Sequence, residues 1–490
     1  MNNNRGRGLQ PNALGTFDTV VMAIAGSAPA YSVAATTAVL VGAVGLASPA
    51  ALLYCALPMM GIALAFSYLS RIDVNAGASY SWVGRTLHPF LGFISGWALV
   101  VSATIFMVAG SLPAGSMTLA LFDQGLADDT ALATVVGAAW FVAMLLVVLG
   151  GARLTVRAQL AMSGVELAVL ALFAVLALFH TGNARAFDWS WFGFGQFDGM
   201  AGFASGALVA AFYYWGWDVT SNLSEETRDS RRTTGLAGLI GLGVVFLLFE
   251  VFTIAVNVIL SSKQIDDNEA NVLGVLGQEI WPGIGGKLLV VAVMLSTIAT
   301  LETTLIQVTR SLFAMGRDRT MPTALGRVHP RWNTPWVAIT VVGGVALAMF
   351  VAAGALGSVG DILSDAISAI GLQIAVYYGL AGLAAVVAYR KTLLRSAGDF
   401  VLGGVWPLFG ALFMFWIFVE SLGELETAAI AIGIGGLAVG LVPMLWYWRR
   451  GSDYYRPARL DATHTIEAEY LPIGAAPLGT RVHEGLSTDF

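Results

Sequence analysis

The chain has 490 residues, 57% apolar and 11% charged, with a formal net charge of −6 and a mean hydropathy of +0.76. A water-soluble domain carries about 25% charged residues, so 25 basic and 31 acidic side chains cannot clothe the roughly three soluble domains this length would make. A single cysteine, Cys55, excludes an internal disulfide and a thiolate metal cluster. The five histidines are scattered without ligand spacing, and the negative balance offers nucleic acid no basic arm. No cofactor or resident metal is expected.

In chain order, residues 1–15 form a polar segment. Apolar runs of about 20 residues or more follow, each long enough to cross a hydrocarbon core of about 30 Å as a helix. They predict an all-α integral membrane protein with spans at 16–41, 48–70, 89–117, 131–150, 158–180, 200–226, 234–260, 286–314, 336–356, 362–389, 400–419 and 427–448. The first run lacks a cleavage signature and reads as a span, not a leader. With the N-terminus in the cytoplasm, 22 of the 25 basic residues fall inside, leaving only Arg185, Lys263 and Lys287 outside. This is the asymmetry the positive-inside rule requires, and it supports twelve spans with both termini cytoplasmic. The outer loops are acidic: Asp123, Asp128 and Asp129, then Asp266, Asp267 and Glu269, then Glu420, Glu424 and Glu426. Residues 451–490 are polar without apolar period and read as a mobile cytoplasmic tail.

Two spans are interrupted. Span 1 contains Gly26-Ser27-Ala28-Pro29 at its middle, where Pro29 cannot donate a backbone hydrogen bond. Span 6 contains Phe212-Tyr213-Tyr214-Trp215-Gly216-Trp217-Asp218. Each alone reads equally well as a proline kink or an aromatic packing layer. Together they hold corresponding places in two five-span halves, 16–180 and 200–389, followed by two further helices at 400–448. Paired interrupted helices point to a secondary-transporter site, and unwound backbone survives in a membrane only where it lines a cavity or finds protein partners. Because five is odd, the second half must be inverted. Freed amides of Ser27, Ala28 and Ala30 would attract a carboxylate, and freed carbonyls of Tyr213, Tyr214 and Trp215 an ammonium.

The stretch from Phe212 to Arg232 resembles the helix-6 signature of the amino acid–polyamine–organocation (APC) superfamily. The segment Arg310–Pro322 resembles that family's helix-8 exit and following loop. The resemblance covers essentially the whole chain. It implies the five-plus-five inverted repeat of the sodium-coupled leucine transporters, with discontinuous helices 1 and 6. It also implies a plasma-membrane permease importing an amino acid or related amine by proton-coupled transport, the alternatives being sodium symport, exchange, or uptake of a polyamine or organocation for which Glu166, Asp218 and Glu302 would be anionic anchors. Gly26-Ser27-Ala28 matches the family's helix-1 break, where substrate carboxylate is held; Ala28 and Pro29 depart from its third glycine. Phe212 falls near the family's gate aromatic, Tyr213 to Gly216 complete the substrate-facing segment, and Asp218 matches a carboxylate tied to proton-linked transport.

Intramembrane acids are costly and therefore candidates for coupling. Glu166 lies about 12 Å into span 5 by helical rise and Glu302 near the middle of span 8; they are expected to share one site if the spans converge. Thr300, Thr303 and Thr304 are either sodium ligands or bonded back to their own helix. Glu250, with Asn257 on the same face, suggests a structural or gating role. Arg310, at the end of span 8, is either a positive-inside anchor or an inner-gate ion pair with Asp73 or Glu225. Ser102, Thr104 and Met107 on span 3, and Ser368 and Gln373 on span 10, are pocket wall by position only. A channel, a transporter-derived sensor and an intramembrane protease at Ser205 are rival readings. The protease lacks a histidine within the bilayer.

Overall fold

The computed structural model describes residues 8–182, 184–268, 271–354, 359–423, 425, 427–456, 460 and 462. Its helices are α1 (Thr16–Gly26), α2 (Pro29–Val44), α3 (Ser48–Ile72), α4 (Ser79–Thr86), α5 (Pro89–Ala120), α6 (Thr130–Leu149), α7 (Ala152–Leu178), α8 (Gly199–Tyr213), α9 (Val219–Asn222) and α10 (Ser230–Ile259). Then come α11 (Val272–Ile280), α12 (Gly285–Arg317), α13 (Trp336–Gly354), α14 (Val359–Tyr389), α15 (Trp406–Ser421), α16 (Thr427–Val439) and α17 (Leu441–Arg449), with short turns between them. No β-strand occurs among the described residues. Nine helical stretches among them are long and apolar enough to cross a bilayer, and the first runs from Thr16 to Ile72. Gly199–Tyr213 and Trp336–Ala352 are shorter apolar helices.

Every predicted apolar run falls on helix, and the differences have local causes. α7 begins at Ala152 instead of 158, because Arg153 and Arg157 ride on its exposed face and do not end it. That places Glu166 about 21 Å along the helix at 1.5 Å per residue, deeper than its first estimate. α2 starts on Pro29, whose fixed φ suits a first helical position. Glu269, Glu424, Glu426, Arg5, Arg7, Arg459, Arg481 and the tail beyond residue 462 lie outside the described residues.

Burial separates core from rim. The apolar windows of α5, α12 and α14 are 72%, 83% and 78% buried, against 33% for α6 and 22% for α7. α12 packs on α5 and α7, and α14 on α5 and α15. The rim helices expose large apolar side chains such as Leu146, Val175 and Leu412, as a lipid-facing surface requires.

The chain ends stitch one end of the bundle, the end richest in Arg. Ala13 and Leu14 N–H groups donate to the Glu226 carbonyl, and Arg228 N–H donates to the Leu14 carbonyl. Of the segment 451–490 predicted to be mobile, the described residues 451–456, 460 and 462 lie against this face. The Tyr454 ring stacks on Tyr80 at 4.7 Å and 5°, and its hydroxyl donates to the Tyr80 carbonyl at 3.1 Å. Gly84 and Gly92 make the notch that receives it, since a side chain at either would collide with the phenol. Leu460 N–H donates to the Arg85 carbonyl and Ala462 N–H to that of Ala388. Burial pushes both phenols well above the ordinary tyrosine range, so both keep their protons at neutral pH.

Candidate functional site

The two interrupted spans meet. α1 ends at Gly26, Ser27 and Ala28 form the break, and Ala28 adopts left-handed geometry (φ 46°, ψ 65°) before α2 begins. α8 ends at Tyr213, and the chain passes through Gly216 (φ 99°) to Asp218 and α9. Backbone lies against backbone at this crossing. A Cβ on Gly26 would overlap the Gly216 carbonyl, and one on Gly216 would overlap the Gly26 carbonyl.

The amides expected to be free at the α1–α2 break are all engaged. Ser27 N–H donates to the Ala23 and Ile24 carbonyls, and Ala28 N–H to that of Ala25 at 3.2 Å. Ala30 N–H donates to Glu166 Oε1 at 3.0 Å, and Tyr31 N–H to Ser296 Oγ at 3.2 Å. On the other side of the break, the Thr300 hydroxyl lies 2.8 Å from the carbonyls of both Ala25 and Ser296. Thr303 bonds back to its own helix.

The four acids occupy four surroundings. Glu166, fully buried, reaches from α7 to the N-terminus of α2, and its Oε2 has no partner. Glu302 Oε2 accepts from Gln159 Nε2 at 2.7 Å, while Glu302 Oε1 and Gln159 Oε1 have no partner. Glu166 and Glu302 therefore do not share a site. Gln159 and Glu166 stand two turns apart on α7, about 10 Å by rise, so the seam between α7 and α12 holds two separate acids. Asp218 accepts from Gln307 Nε2 (2.8 Å), the Tyr377 hydroxyl (3.1 Å) and the Tyr378 hydroxyl (3.0 Å). Glu250 lies on α10 with both carboxyl oxygens unpartnered; Asn257, two turns on, donates to Ser48 Oγ at 3.0 Å.

Buried aromatic side chains pack beside the breaks. Tyr31 meets Phe106 edge-on at 5.8 Å, and Phe106 meets Trp215 at 5.7 Å and Phe212 at 6.3 Å. Trp215 Nε1 donates to the Tyr377 hydroxyl at 2.6 Å, tying this cluster to Asp218. The Tyr213 and Tyr214 side chains turn elsewhere. Tyr213 bonds Thr37, Tyr214 donates to the Leu52 carbonyl, and both rings pack on Phe249.

The Arg-rich end is closed by ion pairs. Arg310 makes a two-point contact with Glu226, Nε–Oε2 at 3.0 Å and Nη2–Oε1 at 3.2 Å, with both side chains almost fully buried. Glu226 is the partner, in place of the expected Asp73 or Glu225. Glu225 instead pairs with Arg317 at 2.9 Å and accepts from the Ala76 N–H, and Asp73 lies 3.7 Å from Arg85.

Residues proposed as pocket wall divide in the same way. Ser102 and Thr104 bond back to their own helix, and Gln373 donates to the Gly433 carbonyl, which makes it a packing contact. Tyr31, Phe106, Gln307, Tyr377, Tyr378 and Gln159 were missed. Gln159 and Gln307 carried a usable signal, being amides deep in apolar runs; the tyrosines and phenylalanine carried none. The Asp218 cage has a direct test. Asp218→Asn replaces one acceptor oxygen with an NH2 group, which then faces either the Tyr378 hydroxyl or the Gln307 and Tyr377 donors, and is expected to cost about 1–3 kcal/mol. The melting temperature of the purified variant checks this, and an unchanged value would count against the cage.

The described residues thus form a helical bundle of membrane-spanning type in which two helix breaks touch beside clustered aromatics and buried acids. The amino acid permease family model matches residues 14–446, and the chain belongs to that family, within the APC superfamily. An uncharacterised transporter of Mycobacterium tuberculosis is 26% identical over 453 residues, covering 90% of this chain and 93% of the relative. The low-affinity putrescine importer PlaP of Escherichia coli K12 is 27% identical, covering 61% and 66%. The serine/threonine exchanger SteT of Bacillus subtilis is 25% identical, covering 56% and 61%. The family's fold is that of the sodium-coupled leucine transporters.

Proposed function

We propose that this chain is a secondary active importer of an amino acid or related amine in the plasma membrane, driven by protons and working by alternating access. The observation that carries the reading is the contact of the two helix breaks at Gly26 and Gly216 beside the clustered aromatics Tyr31, Phe106, Phe212 and Trp215. In this reading twelve spans form a five-plus-five inverted repeat with two added helices. Both termini are cytoplasmic, so the Arg-rich end is the inner gate. Substrate sits between the breaks against Gly26, Ser27, Ala28 and the 212–216 segment, and Phe212 closes over it. Glu302, Glu166 and Asp218 are the coupling candidates. Glu302 leads, because its Oε1 is buried without a partner and Gln159, which holds its Oε2, carries a second unpartnered oxygen. Glu250 serves structure or gating.

The test is uptake of a labelled amino acid and amine panel into proteoliposomes, with proton and sodium gradients imposed separately. Uptake driven by an inward proton gradient, and lost with retained counterflow in Glu302→Gln, is the expected result. Sodium-driven uptake, or homo-exchange indifferent to both gradients, would overturn the coupling assignment.

A further inference from the structure

An α-helix begins with four backbone N–H groups that lack partners within it, and these with the helix dipole make a natural seat for an anion. α2 offers no such seat. Pro29 has no N–H, Ala28 N–H is turned back to the Ala25 carbonyl, Tyr31 N–H is held by Ser296, and Ser32 N–H already donates to the Ala28 carbonyl. The remaining amide, Ala30, is taken by the Glu166 side chain, which arrives from α7 and is fully buried. A carboxyl group built into the protein thus stands at the half-helix N-terminus.

Two independent observations agree with this placement. Fully buried acids lie in the interior at Glu166, Asp218 and Glu302, while the buried basic side chains, such as Arg310 and Arg85, lie at the Arg-rich end facing acids. A substrate carboxylate at the start of α2 therefore has no free amide to meet, and the buried cations named here lie elsewhere, paired with acids. The neighbouring aromatics Tyr31, Phe106, Phe212 and Trp215 pack on one another at 5.7–6.4 Å and bring no positive charge, and aromatic groups of this kind attract organic cations.

We infer that Glu166 is a specificity-determining residue that fills the carboxylate position of the broken helix, so that the transported molecule is an organic amine without an α-carboxylate. This rests on the permease reading above and narrows it to one substrate class. Selection operates by denial. An α-amino acid must displace Glu166 from Ala30 or leave its own carboxylate desolvated and unpaired, and an unpaired charge in such a site is costly.

The test uses pairs that differ only by the carboxylate: lysine and cadaverine, ornithine and putrescine, tyrosine and tyramine, phenylalanine and phenethylamine. Binding is read as thermal stabilisation of the purified protein, and transport as competition and direct uptake in proteoliposomes. The amine of each pair is expected to bind at least about tenfold more tightly, the ratio that one lost charge-assisted contact produces. Glu166→Ala, which frees the Ala30 N–H, is expected to cut that ratio about tenfold or reverse it. Glu166→Gln keeps an oxygen on Ala30, and it is the variant to read if the alanine protein does not fold; it is expected to preserve the amine preference.

Preference of the wild type for the amino acid members overturns the inference, as does an unchanged ratio in Glu166→Ala, or a reversed one in Glu166→Gln. Selective amine binding without flux sustains the inference and overturns the permease reading. Failure of both sets to bind overturns both.

Discussion

Gly216→Ala is expected to abolish uptake and to lower the melting temperature more than any other single methyl addition in the bundle. Two costs add at this position. The new Cβ would overlap the Gly26 carbonyl, and overpacking of this kind costs about 1–3 kcal/mol even where side chains can move aside. Here the neighbour is backbone, so the relief open to a side chain is absent. The residue also sits at φ 99°, outside the regions that L side chains readily adopt. Gly26→Ala carries the steric cost without the conformational one, because Gly26 ends α1 in helical geometry. It is expected to be the milder of the pair. Melting curves of both purified variants, with uptake of the best substrate, check the ranking. Full uptake by Gly216→Ala would mean that the two breaks do not touch during transport.

The second large effect lies at the Arg-rich end. Arg310 and Glu226 are both almost fully buried and joined at two points. Removing one member of such a pair leaves an uncompensated charge and costs about 3–5 kcal/mol, whereas replacing both by apolar residues of similar volume is often close to neutral. Arg310→Met and Glu226→Leu should therefore each destabilise the closed end strongly, and the double variant should recover most of the loss. Melting temperatures of the four proteins give the coupling energy directly. Accessibility of a cysteine introduced at Ser311 to a membrane-impermeant reagent, applied from the inner face, reports whether each single variant holds that end open. A double variant no more stable than the worse single one would show that the two residues act independently.

Much of this was legible in the sequence, for identifiable reasons. Proline and glycine also sit inside unbroken helices, Pro58 in α3 and Pro113 in α5, so what marked the interruptions was Pro29 clustered with Gly26 and Ser27, and Gly216 beside a carboxylate, at corresponding places in two halves. A carboxylate in a run of alanine and leucine is costly enough to be noticed, so Glu166, Asp218, Glu250 and Glu302 stood out. Partner identity was not legible. Glu225 and Glu226 are neighbours of identical type, and only the turn between α9 and α10 decides which of them meets Arg310 and which Arg317. Tyr377 and Tyr378 look like any aromatic pair in a span, and their role depends on α14 passing beside Asp218. The occupation of the Ala30 amide depends on the register of α7 against α2, for which a linear sequence carries no signal.

The C-terminal contact at the Arg-rich end has a consequence for the order in which the protein is made. Tyr80 and Tyr454 stack in the finished molecule, yet 374 residues separate them. At about 5–20 residues per second, the interval between their synthesis is about 20–75 s. For that time α4 exists without the ring that fills the notch at Gly84 and Gly92. The Arg-rich end of a growing chain therefore lacks this seal until α17 has been made. A chain arrested in α17 would sit in the membrane with the notch at Gly84 and Gly92 bare.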